Sequence, residues 1–124
     1  MKLYHRKQMR TRVVLLCCIC WAGFAVPGCR SLPPSKPASE FTPQEARGAL
    51  IYQQKCARCH YPNNTHPLNG PGLQALTKLP AMPSGAPPTD ERLTAVTLHG
   101  RQMMPATPLD EQQMQDLLAY LHTL

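Results

Sequence analysis

The sequence predicts an all-α domain of three to four helices, and three observations carry that prediction. Two segments, beginning at Thr42 and at Asp110, open with helix-capping residues and continue with apolar side chains at helical spacing. No run of alternating β-branched and polar residues occurs along the chain, so nothing in it reads as a sheet. Between the helical segments, prolines and glycines recur every few residues and confine the chain to loops. At 124 residues there is room for one modest domain.

The first thirty residues form no part of that domain. Lys2, Arg6, Lys7, Arg10 and Arg12 make a basic opening, and Val13 to Val26 is an uninterrupted apolar run of 14 residues, the layout of an export signal. The run falls short of the roughly 17 to 25 residues of a membrane span, which leaves an uncleaved anchor as the second reading. Where it ends, Val26-Pro27-Gly28-Cys29 resembles a bacterial lipoprotein cleavage box. Residues 1–28 are then a leader, and Cys29 is the expected site of acylation and the new N-terminus; cleavage after Ala25 is the alternative. Acyl chains on Cys29 would hold the protein on a membrane surface, because each buried methylene contributes about 0.8 kcal/mol.

Residues 29–40 include Ser31, Pro33, Pro34, Ser35, Pro37 and Ser39, a composition too polar and too proline-rich to nucleate a core. They read as a tether whose reach, if extended, is about 30 Å. Five of the 13 basic residues belong to the leader while all seven acids lie beyond it, so the remainder carries eight bases against seven acids. The basic balance of the whole chain is a property of the leader and points to no nucleic acid.

The domain occupies residues 41–124. Thr42 is placed as an N-cap, Pro43 at the first helical position and Glu45 to close a capping box, which predicts a helix from Pro43 to about Cys56. Ala46, Ala49, Leu50 and Gln53 share one face, and Gly48, Tyr52 and Cys56 form a neighbouring stripe. Glycine inside a helix costs about 1 kcal/mol against alanine, so Gly48 is either incidental or the place where another backbone comes close.

Cys56-Ala57-Arg58-Cys59-His60 follows directly. Two thiols three apart with an adjacent imidazole are the pattern of covalent haem attachment. Cys56 and Cys59 can each add across one haem vinyl group, and His60 then falls under the iron as proximal ligand. A structural zinc site would need a second ligand pair, and only His66 follows nearby. A thioredoxin-like redox pair would need flanking strands. A plain disulfide between Cys56 and Cys59 would leave His60 without a role. With haem, all six cysteines are accounted for: Cys17, Cys18 and Cys20 lie in the leader, Cys29 takes lipid, and Cys56 and Cys59 take haem c.

Tyr61 to Leu73 reads as loop, and a short helix is expected within Leu73 to Leu79. Pro80 to Pro88 is expected to be extended, forming a loop at the haem edge. Thr89 or Asp90 caps the next helix, which runs through Leu93, Val96 and Thr97 to a left-handed cap at Gly100. The last helix starts in a second capping box, Asp110 to Gln113, with Met114, Leu117, Leu118 and Leu121 on its apolar face and Tyr120 at the edge.

Gly48, Tyr52, Cys56, Cys59 and His60, together with Asp116-Leu117-Leu118-Ala119-Tyr120-Leu121, resemble the terminal helices of a class I cytochrome c. The resemblance covers about residues 41–124 and implies three to four helices around one covalently bound haem, with the two terminal helices crossing at the glycine and the C-terminal aromatic. Gly70-Pro71-Gly72-Leu73 resembles the family's glycine-proline-x-leucine turn, which implies that the Pro71 carbonyl accepts the Nδ1 proton of His60 and that Leu73 packs on the haem face. The family places a methionine before a proline, shortly after the third helix. Met104-Pro105 takes that position, which makes Met104 the expected sixth ligand, with Met82, Met103, His66 and His99 as competitors.

Both axial positions filled by His60 and Met104 would favour one-electron transfer over catalysis. The expected function is an electron carrier, monomeric, touching redox partner proteins transiently, and lipid-anchored on the periplasmic side of a bacterial membrane or else soluble there. A haem enzyme or gas-sensing subunit with a labile sixth ligand is the alternative of a different class, and a fixed cytochrome subunit of a larger oxidoreductase is a third.

Overall fold

The structure is a computed structural model that describes residues 31–124. The leader and the proposed acylation site Cys29 lie outside the described residues. Three α-helices organise the domain: α1 spans Pro43–Lys55, α2 Asp90–His99 and α3 Glu111–Leu121. Short 3-10 helices occur at Ala38–Glu40 and Leu76–Lys78. Among the described residues the only β-type pairing is an isolated bridge between Arg101 and Met104.

Each helix starts where local chemistry says it should. The Thr42 hydroxyl accepts from the Glu45 amide while the Glu45 carboxylate accepts from the Thr42 amide, and Asp110 and Gln113 form the same reciprocal pair at α3. Each such cap satisfies orphan amides of the first turn, with about 1 kcal/mol at stake. Thr89, rather than Asp90, caps α2. α1 stops one residue earlier than its periodicity suggests, at Lys55, with Cys56 as its C-cap.

The principal helix contact is α1 against α3. The stripe that α1 buries is Gly48 and Tyr52, while Leu50, expected on an apolar face, is 58% exposed. The reason lies in α3: a Cβ on Gly48 would sit 1.9 Å from the backbone oxygen of Asp116 and 2.8 Å from the Cβ of Tyr120. Only the glycine stripe lets the two backbones approach this closely, and that approach turns Leu50 outward. Tyr120 packs between Tyr52 (ring centroids 5.2 Å) and Phe41 (5.8 Å, edge to face). At the crossing, Arg47 donates two hydrogen bonds to the Asp116 carboxylate, Nε at 2.7 Å and an Nη at 2.9 Å. These bonds hold the Asp116 carboxyl below the usual carboxylate range, against the opposing effect of burial.

The core is completed by Leu76, Leu93, Met114, Leu117, Leu121 and Leu124. Residues 31–40 carry a tether's composition, but their C-terminal part is docked. The Lys36 amide donates to the Thr123 carbonyl at 2.7 Å, and the Lys36 ammonium pairs with Glu45 at 2.8 Å. Pro80 to Pro88 is not extended throughout: the Gly85 amide donates to Met82 O and the Met82 amide to Ala86 O, a tight turn that Gly85 closes with φ 81°. Gly100 has the positive φ expected after α2, 73°, but its ψ of 173° is extended rather than left-handed helical.

Candidate functional site

The site is built where α1 runs out. Past Lys55 the chain continues as a turn, with the Cys59 and His60 amides both donating to Cys56 O at 3.0 Å. This places Cys56, Cys59 and His60 on one bend. Both cysteines are half-buried and unpaired by any disulfide. Burial, with a smaller contribution from the neighbouring Cys59, pushes the Cys56 thiol up to about 11. A thioether is neutral, so the same apolar setting that disfavours a thiolate suits a cysteine bonded to carbon.

The loop after His60 folds back beneath it. The amides of Asn69 and Gly70 both donate to Cys59 O, at 3.2 and 2.7 Å, and the Asn69 side chain donates to Arg58 O at 3.2 Å. Leu73 N donates to Tyr61 O at 2.8 Å and closes the loop. The result is that the Pro71 carbonyl lies 2.8 Å from His60 Nδ1. A carbonyl can only accept, so Nδ1 carries the proton and Nε2 keeps its lone pair for a metal. Gly70 underlies the imidazole: a Cβ there would come within 2.5 Å of His60 Cε1 and 2.9 Å of Nδ1. Leu73 is half-buried and packs against the core.

Tyr52 and Asn69 join the site without having been singled out for it by sequence. The Tyr52 hydroxyl donates to the backbone oxygen of His60. The available signal was that a tyrosine on a buried helical stripe must find a partner for its hydroxyl.

Further along the chain, Arg101 to Met104 forms a tight turn in which each of the two residues donates its amide to the other's carbonyl at 2.9 Å, with Gln102 left-handed at φ 53°. Met104 is half-buried, whereas Met103 projects into solvent at 90% exposure. Met82 is half-buried against the core, and His66 and His99 are exposed.

Among the described residues no three His, Cys, Asp or Glu side chains converge as the ligands of a bare ion. One oriented imidazole with two nearby thiols fits instead an iron that arrives with its own equatorial donors and is held by carbon–sulfur bonds. The described cleft of about 560 Å³ lies elsewhere, between Ser35 to Phe41 and one side of α1, and none of the site residues lines it.

The family model described as Cytochrome c matches residues 45–124. The chain belongs to the cytochrome c family. Its fold is the all-α fold of a class I cytochrome c, its cofactor is covalently bound haem c with its iron, and Cys56 and Cys59 lie in the attachment spacing. A cytochrome c domain binds haem for electron transfer, is generally not an enzyme, and is typically exported. No curated protein matches the chain.

Proposed function

We propose that this cytochrome c is a one-electron carrier in which Cys56 and Cys59 hold the haem through thioethers and His60 and Met104 are its axial ligands. The observation that carries the reading is the hydrogen bond between His60 Nδ1 and Pro71 O, which presents Nε2 as a fixed, strengthened donor. The haem supplies an iron that gains and loses one electron. The chain supplies the rest. Gly70 and Pro71 set the imidazole plane, and Leu73 offers apolar surface. The 101–104 turn holds Met104 partly buried while Met103 points away. A thioether ligand in an apolar pocket favours the ferrous state and a comparatively high potential.

The carrier meets its redox partners in small, transient contacts. Its place is the periplasmic face of a membrane, held by lipid on Cys29, as a monomer. The cleavage-box resemblance and the proline-rich stretch that follows it support this placement.

The ligand assignment is tested by Met104→Ala. The variant should lose the weak far-red sulfur-to-iron band of the ferric protein and bind carbon monoxide, while Met82→Ala and Met103→Ala keep the band. Ready carbon monoxide binding by the wild type would instead favour a sensor or enzyme with an open iron.

A further inference from the structure

Tyr52 is 2% exposed and one helical turn before Cys56. Phenylalanine would fill the same space against Tyr120, so the hydroxyl is what asks for a reason. Burial raises the phenol's pKa, which keeps it a neutral donor. Its partner is the carbonyl of His60.

That carbonyl is a sensitive place to bind. His60 is fixed at four points: its amide donates to Cys56 O, its ring Nδ1–H to Pro71 O, the Nδ1–Cε1–Nε2 edge of its ring lies against Gly70, and its carbonyl accepts from Tyr52. Fixing the carbonyl fixes the peptide plane into Tyr61. The Tyr61 carbonyl in turn accepts from the Leu73 amide at 2.8 Å, two residues beyond Pro71. The Tyr52 hydroxyl therefore restrains both ends of the His60 to Pro71 bond, the histidine through its own backbone carbonyl and the proline through the loop closure.

We propose that Tyr52 is a positioning residue for the axial histidine, its hydroxyl setting how firmly His60 Nδ1–H is held on Pro71 O and hence how strongly the imidazole donates to iron. The inference rests on the reading of His60 as the proximal ligand. Without the hydroxyl the 60–61 peptide is free to turn, the Nδ1 bond lengthens, and the ring becomes a weaker donor. A weaker donor stabilises ferric iron less, so the potential rises.

The test uses the ferrous holoprotein and two substitutions. Tyr52→Phe removes one oxygen; Tyr120→Phe removes a hydroxyl from the adjoining ring, 5.2 Å away between centroids, that makes no bond to His60. Solvent exchange of the His60 Nδ1 proton, read by NMR, should accelerate about tenfold in Tyr52→Phe, the factor a lost bond of ordinary strength produces. The midpoint potential should rise in the same variant. Neither should change in Tyr120→Phe. In the wild type, the Tyr52 hydroxyl proton should exchange slowly and show a cross-relaxation peak to the Tyr61 amide. Unaltered exchange and potential in Tyr52→Phe, or a freely exchanging Tyr52 hydroxyl in the wild type, overturns the inference while leaving ligation intact. His60 ring protons without the large shifts of an axial ligand overturn both.

Discussion

The backbone of Gly48 meets the carbonyl of Asp116 so closely that a Cβ on Gly48 would lie 1.9 Å from that oxygen. This contact fixes the crossing of α1 and α3, and with it the start of the bend that carries Cys56. Two effects of opposite sign therefore compete in Gly48→Ala. Alanine gains about 1 kcal/mol of helix propensity. The clash is with backbone, which cannot rotate aside, so the helices must separate. The clash wins, and the variant should lose about 2 kcal/mol or more, read as a lower urea midpoint.

Asp116 adds a pH dependence to the same crossing. Its carboxyl is held below the ordinary value chiefly by the hydrogen bonds from Arg47. A depressed carboxylate contributes stability that is present above its unfolded pKa of about 3.9 and is lost as pH falls through the lower folded value. Asp116→Asn should therefore be less stable than wild type at pH 7, with the gap closing below about pH 4. Parallel stability curves down to pH 2 would show that the ion pair contributes nothing to folding.

The helix starts were readable because capping is local: Thr42 with Glu45, and Asp110 with Gln113, are each written within four residues. The pairing of Pro71 with His60 spans 11 positions and came instead from the resemblance of Gly70-Pro71-Gly72-Leu73 to the family's turn. The buried stripe of α1 was not readable from α1 alone. Leu50 is more apolar than Gly48, yet the backbone of α3 decides which of them is inside. The turn at Met82 to Ala86 escaped because five helix-breaking residues over Pro80 to Pro88 exclude regular structure without saying which way the chain bends. The docking of Lys36 was hidden in a composition that reads as free tether; its amide pairs with Thr123, 87 positions away in the chain.

That docking sharpens what is expected of the N-terminal stretch. With Lys36 bound to Thr123 and Glu45, and Pro33 O accepting from the Gln74 side chain at 3.4 Å, residues 33–36 are tied to the domain, and the proposed tether is shorter than the roughly 30 Å of a fully loose one. Cys29→Ala should move the protein from the membrane to the soluble exported fraction. Lys36→Ala should leave it on the membrane but make the Ser35 to Phe41 stretch easier to cleave by protease. A wild type already soluble would remove the lipid anchor from the account.

Gly70 offers a direct test of how the imidazole is seated. Its φ lies outside the positive region, so alanine is tolerated by the backbone, and the nearest obstacle is the histidine ring. A Cβ 2.5 Å from Cε1 and 2.9 Å from Nδ1 must push the ring off its position. The ring cannot yield without stretching the 2.8 Å bond to Pro71. Gly70→Ala should leave haem attachment through Cys56 and Cys59 intact, because the atoms nearest the added methyl belong to the His60 ring, yet raise the midpoint potential as the imidazole loses its partner and donates less strongly. The stability loss should be about 1 to 3 kcal/mol, the ordinary range for overpacking. An unchanged potential with normal attachment would mean that the Pro71 bond does not tune His60, and would weaken the assignment of His60 as the ligand on that face.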